Sequence, residues 1–189
     1  VDRGQAIGNG RVMPAGPLRA PLADQLDRAS ALVVIASGEP AAPSLATLMA
    51  DARRRGLPVV EARLVPRRSD DLRGRRVLAW AGIGRPAKFA ATLTALGAEV
   101  VDLVAFADHQ MLDERDAAPL LARAAAEDLV LVTTEKDAVR IAGATTPALR
   151  ELARASRVVA VDLVFDDATV LAGLFAGLRR SRAETSGRG

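Results

Sequence analysis

Three short polar clusters, each closing an apolar run, hold most of the chemically capable side chains of this 189-residue chain. Phe106-Ala107-Asp108-His109-Gln110 ends the run Val100 to Phe106 and contains the one histidine. An Asp-His pair at the carboxyl end of a strand can orient a hydroxyl or shuttle a proton, because imidazole titrates near neutrality. Neighbours in sequence need not point the same way, so a hydrogen-bonded loop histidine explains the pattern equally well. Thr133-Thr134-Glu135-Lys136-Asp137 follows the run Leu129 to Val132, with three ionising side chains in succession. Thr134 as a helix N-cap with a local Glu135 to Lys136 surface pair is the plainer reading of it. Gly82-Ile83-Gly84-Arg85-Pro86 follows Val77 to Ala81 and opens a helix. Its backbone amides can hold an anion. It lacks the third glycine and the acidic residue of a dinucleotide fingerprint, so a tight strand-to-helix turn also accounts for it. On one parallel sheet, all three clusters converge on the same edge.

The elements that must position them follow from periodicity. Apolar runs at Ala31 to Ala36, Val77 to Ala81, Val100 to Phe106, Leu129 to Val132 and Val158 to Phe165 alternate with helical patterns, the signature of strands buried on both faces by crossover helices. Phe89, Leu93 and Leu96 share a helical face, with Pro86 suited to the first turn and Gly97 to the C-terminal end. A second helix is expected from an N-cap at Asp113 to Glu127. A third follows Asp166 and Asp167, with Val170, Leu171, Leu174, Phe175 and Leu178 on one face. The first twenty-two residues, punctuated by Gly4, Gly8, Gly10, Pro14, Gly16, Pro17 and Pro21, read as one long ordered loop. Loops of that length in compact domains tend to be functional. Val59 to Val65 reads as a strand followed by a connection, and a domain junction is placed between Gly56 and Gly74. The residues after Arg179 read as a frayed tail.

Composition narrows the chemistry. Half of the residues are apolar, and a domain of this size buries roughly 70% of its unfolded surface, which excludes a disordered chain. There is no cysteine, so disulfides, thiolate metal sites and cysteine nucleophiles are out. No apolar run approaches the roughly 20 residues of a membrane span. Of 26 basic residues only Lys88 and Lys136 are lysines, and neither stands in a G-x-x-x-x-G-K-[ST] phosphate loop. The net charge of +3 invites a nucleic-acid reading. Single-strand binders pair basic grooves with stacking aromatics, whereas this chain has no tyrosine, one tryptophan and four phenylalanines, so no nucleic-acid partner is expected. The arginine groups Arg53 to Arg55 and Arg67, Arg68, Arg73, Arg75 and Arg76 suit acidic headgroups or a phosphorylated substrate, or a solvated face. The start at Val1, without an initiator methionine or a signal pattern, suggests a fragment or processed chain.

Taken together and in order, four blocks resemble the tetraacyldisaccharide 4'-kinases of lipid A biosynthesis. They are Gly8-Asn9-Gly10 with Pro14-Ala15-Gly16-Pro17-Leu18-Arg19, Ala81-Gly82-Ile83-Gly84 with Pro86 and Phe89, Ala107-Asp108-His109-Gln110, and Thr134-Glu135-Lys136-Asp137-Ala138-Val139. The likeness runs from about Asp2 to Leu178 and corresponds to the rear part of the family sequence, with the phosphate-loop segment preceding it. It implies an α/β fold: a parallel-sheet α/β/α sandwich plus the C-terminal part of a P-loop NTPase-like α/β domain. Residues 1–56 would end the nucleotide domain, 57–74 form a linker strand and connection, 75–155 make the second α/β domain, and 156–189 return to the first domain and end in the tail. The implied reaction is ATP- and Mg2+-dependent phosphorylation of the 4'-hydroxyl of an acylated disaccharide 1-phosphate. It would take place at the cytoplasmic face of the bacterial inner membrane, to which the protein would bind peripherally. The resemblance assigns His109 and Asp108 to catalysis at an interdomain cleft, Arg19 and Asn9 to the nucleotide, and Asp2 to the metal side. Glu135, Lys136 and Asp137 fall to the substrate or cleft wall. Ala20 stands where the family usually has glutamate. On this reading the chain works with an N-terminal lobe of the same protein and is inactive alone. The rival is a non-catalytic α/β module that binds a nucleotide or sugar phosphate at the Gly82 to Pro86 turn.

Overall fold

The computed structural model describes residues 1–176 apart from Ser37, Arg68, Ser69, His109, Ala168, Leu171 and Leu174. Its chain divides into two units, Val1–Val65 with the stretch from Leu163 onward, and Pro66–Asp162. Both are built from α/β elements, the expected fold class: the second sheet is parallel throughout, and in the first β1 and β2 are parallel while the last strand runs antiparallel to β2.

In the first unit, residues 1–21 contain neither helix nor strand, as their glycines and prolines predict. A short helix α1 (Leu22–Asp27) leads to β1 (Leu32–Ala36), helix α2 (Pro43–Arg54) and β2 (Val59–Pro66). Strand β1 pairs in parallel with β2, from Leu32 opposite Val59 to Ala36 opposite Arg63. Helix α2 makes the crossover between them. Pro43 sits in its first turn, where a missing N–H costs nothing. Its apolar stripe Leu45, Leu48 and Ala52 joins Leu26, Leu32 and Val34 in the core of the unit. The last strand, β7 (Val161–Phe165), lies on the other side of β2.

The second unit is a four-stranded sheet in the order β4-β3-β5-β6, formed by β3 (Arg76–Ala81), β4 (Glu99–Ala105), β5 (Val130–Thr134) and β6 (Arg157–Val159). Every pairing in it is parallel. Successive strands that run parallel in one sheet need crossover connections. These are α3 (Pro86–Ala95), α4 (Glu114–Ala126) and the pair α5 (Glu135–Ile141) and α6 (Pro147–Ala155). Alternate residues of β3 point to opposite faces and found two cores. Val77, Ala79 and Ala81 pack with Phe89 and Leu93 of α3. Leu78 and Trp80 pack with Leu120 of α4, Ile141 of α5 and Leu149 and Leu152 of α6. Trp80 is fully buried and its ring N–H donates to Ser156 Oγ at 2.9 Å, so the largest core side chain leaves no polar atom stranded. The result is an α/β/α sandwich.

The helix ends carry the predicted chemistry. Asp113 caps α4, accepting from the amides of Arg115 at 2.7 Å and Asp116 at 3.2 Å, while Asp116 Oδ2 accepts from the Asp113 amide at 3.0 Å. That reciprocal pair is a capping box. Gly97, with φ +85°, follows α3 in the left-handed region that a side chain would strain. The run Val158 to Phe165 is not one strand. It is divided between β6 of the four-stranded sheet and β7 of the three-stranded one, with Ala160 between them. Beyond Asp167 the predicted third helix begins, Thr169 donating through both its amide and hydroxyl to Asp167 Oδ1. Leu171, Leu174 and Leu178 of its expected face, and the tail, lie outside the described residues.

Candidate functional site

In the second unit the three polar clusters do converge. Strand β3 sits between β4 and β5, so the chain leaves it first to one side and then crosses to the other. In open α/β sheets, the carboxyl ends at such a reversal form the natural crevice for ligands. Gly82 follows β3, Ala107 to Gln110 follow β4, and α5 begins directly after β5.

The Asp108 carboxylate accepts from Lys136 Nζ at 2.7 Å, which brings together two of the sequence-predicted residues from different strand ends. Lys136 therefore pairs across the edge with Asp108 rather than with its neighbour Glu135. Both side chains are about half exposed, so the pair fixes geometry more than it adds stability. Asp137 is 1% exposed. Thr134 caps α5 by accepting from the Asp137 amide at 3.2 Å, and its hydroxyl donates to Asp137 Oδ2 at 2.7 Å. The capping reading of this cluster and the convergence reading are thus both realised, by different members of it. His109 lies outside the described residues.

Sequence reasoning passed over Arg140. Its guanidinium donates to the Gly82 carbonyl at 3.0 Å and to Asp137 Oδ1 at 3.1 Å from one nitrogen, and to the Gln110 carbonyl at 3.2 Å from the other. Gln110 in turn closes the loop, its amide donating to the Ala107 carbonyl at 3.0 Å and its Oε1 accepting from the Ala107 amide at 3.2 Å. A Cβ on Gly82 would stand 2.9 Å from the Arg140 guanidinium and 3.2 Å from Asp137 Oδ1, so the first glycine of the Gly82 to Pro86 turn admits this network. A cavity of about 440 Å³ adjoins it, bounded by Phe106, Gln110, Asp137, Arg140 and Thr146. The i, i+3 spacing of Asp137 and Arg140 on a short helix was the available signal for the pair.

In the first unit, Asp2 forms a parallel bridge with Ile35 of β1, and its Oδ1 accepts from the Gly4 amide at 2.9 Å. The Glu39 carboxylate lies beside it, 2.3 Å from where a Cβ on Gly4 would fall. Among the described residues, no group of three or more His, Asp or Glu side chains is arranged to hold a metal ion. Two carboxylates near Gly4 do not make a complete metal site. Asn9 staples the loop, donating through Nδ2 to the Ala15 carbonyl at 2.8 Å and accepting from the Arg11 amide at 3.1 Å. Ala6 and Ile7 pack onto the core of the unit and anchor the loop there. Arg19 is exposed, and among the described residues it has no ion-pair partner. A guanidinium left over in this way can meet a phosphate bidentately.

The family model described as tetraacyldisaccharide-1-P 4'-kinase matches residues 1–178. The tetraacyldisaccharide 4'-kinase of Chelativorans sp. is 44% identical over 167 residues, covering 88% of this chain and 47% of that protein. That of Methylorubrum populi is 48% identical over 183 residues, covering 97% of this chain and 50% of that protein. The crystal structure of LpxK from Aquifex aeolicus in complex with ATP superposes with a TM-score of 0.51 at 20% identity, over 89% of this chain and 48% of that one, which supports the fold. The chain spans about half the length of the relatives it matches. Nothing in this pattern favours the non-catalytic module, and the match along nearly the whole chain shows that it belongs to the tetraacyldisaccharide-1-P 4'-kinase family.

Proposed function

We propose that this chain forms part of an enzyme that transfers the γ-phosphoryl group of ATP to the 4'-hydroxyl of tetraacyldisaccharide 1-phosphate. The observation that carries the reading is the family match across residues 1–178. Phosphoryl transfer asks a protein mainly to position the reactants and neutralise charge. The edge formed by Gly82, Ala107, Asp108, Gln110 and the start of α5 is suited to the first task. His109 is assigned to proton management at the acceptor hydroxyl, in support of a catalytic acid elsewhere in the protein, and Asp108 to orienting it. Lys136 steadies Asp108. Arg19 is assigned to a phosphate of nucleotide or substrate, and Asn9 to shaping the loop that presents it.

Mg2+ is proposed as the companion of ATP, and it would neutralise charge on the phosphates. Asp2 is the residue of this chain assigned to its side, and the remaining ligands would come from outside the chain. Glu135 and Asp137 belong to the wall of the site. Membrane contact is proposed as peripheral, at the cytoplasmic face of the inner membrane where an acylated acceptor resides. Among the described residues no helix is long and apolar enough to cross a bilayer.

The test is transfer of labelled phosphate from ATP to the acylated disaccharide by a protein of the relatives' length carrying this sequence. Transfer that requires ATP and Mg2+ is expected. The 189-residue chain by itself is expected to give none, since it has no phosphate-loop motif. Failure of the longer protein to transfer would overturn the reading, as would transfer by the short chain alone.

A further inference from the structure

We propose that Arg140 is a positioning residue for the Asp108 to Gln110 loop, holding it to the adjacent strand end through the Gln110 carbonyl. The inference rests on the kinase reading and adds to it a residue that acts through the loop without touching substrate. Three strand ends meet in one guanidinium. Its contacts are the Gly82 carbonyl after β3, the Gln110 carbonyl after β4 and the Asp137 carboxylate in the first turn of α5. The planar fork of arginine can serve several acceptors in fixed directions, which a lysine ammonium on a flexible stem cannot reproduce.

Each anchor of the fork is itself held. Asp137 is buried and receives the Thr134 hydroxyl, so it cannot swing to follow a moving arginine. Gly82 admits the guanidinium because it has no side chain. Gln110 is tied to Ala107 through both its backbone and its side chain, so a constraint at Gln110 is passed back to Ala107, the residue before Asp108. On the other side of that loop, Lys136 holds Asp108. The loop is therefore gripped at both ends from one helix, α5, by residues four apart. Displacement of reacting groups by about 1 Å can cost on the order of a hundredfold in rate, so loosening one grip should appear in turnover before it appears in binding.

The test compares Arg140→Lys and Arg140→Ala in a protein of the relatives' length carrying this sequence. Arg140→Lys keeps a cation beside Asp137 while losing the fork. It should lower kcat by about ten- to a hundredfold, with KM for ATP within twofold and an unchanged thermal midpoint. Arg140→Ala should lose more, and millimolar guanidinium should restore part of its kcat. A kcat for Arg140→Lys within twofold of the unsubstituted protein would overturn the proposal. So would a fall in kcat accompanied by equal loss of ATP affinity and of folded protein without guanidinium rescue, which would make the arginine a general structural support. Absence of transfer by the unsubstituted protein would instead overturn the kinase reading on which the proposal rests.

Discussion

The glycine-rich loop of residues 1–21 and the strand-end edge of the second unit hold their candidate residues by different means. In the loop, order comes from backbone turns, from the Asn9 staple and from Ala6 and Ile7 packed on the core. Arg19 is left exposed. At the strand ends, order comes from side chains, with Asp137, Arg140, Thr134 and Lys136 engaged with one another or with the neighbouring loops. The difference separates two kinds of polar residue in a site. Groups already satisfied by the protein set the geometry, whereas exposed groups without a partner are available to a ligand.

Substitutions at the two regions test that distinction. The largest loss is expected from Trp80→Ala, which removes the buried side chain under the strand-end edge and its bond to Ser156. Urea denaturation should show about 3–5 kcal/mol less stability. A loss below 1 kcal/mol would mean that the edge does not depend on the core beneath it. Asp137→Ala should cost roughly 2–3 kcal/mol, less than the 3–5 kcal/mol of a fully enclosed pair because Arg140 keeps some access to water. Full stability in that variant would contradict the view of Asp137 as an internal anchor.

In the loop, Gly16→Ala would place a Cβ 2.1 Å from Asn9 Oδ1 and 2.4 Å from the Arg11 carbonyl, so the staple must open. We expect a cost of about 1–2 kcal/mol and faster proteolysis near Arg11, with the second unit protected. Equal protection of both regions would break the contrast between a loop held by its own turns and one staple and an edge cross-linked between strand ends.

The smallest effect concerns acid. The Asp102 carboxyl is held below its ordinary range first by the hydrogen bond from Arg123 and then by the Leu103 amide. A carboxylate with a depressed folded pKa stabilises above its unfolded value of about 3.9, and that contribution disappears as the pH falls through the lower folded value. The thermal midpoint of Asp102→Asn should therefore lie slightly below that of the parent at pH 7 and converge on it toward pH 2. A difference that grows on acidification would reverse the sign.

Much of this organisation was legible in the residues. The buried runs of β3 to β5 and the caps at Asp113 and Thr134 follow from local chemistry, and the fold class follows from their alternation. The break at Ala160 was not legible, because an apolar run carries no mark of which sheet each half will join. Helix α2 was missed in a stretch where its apolar positions stand among small residues. Arg140 escaped notice as one of 24 arginines, its importance arising only when three strand ends meet. The pairing of Lys136 with Asp108, 28 residues earlier, is likewise a property of the sheet order and not of either motif.

Whether the loop after β4 serves phosphoryl transfer is decided by His109→Ala. The measurement is kcat, KM for ATP and thermal midpoint in a protein of the relatives' length carrying this sequence. A fall in kcat of about a hundredfold or more is expected, with ATP affinity and stability unchanged. Turnover equal to that of the unsubstituted protein would contradict it.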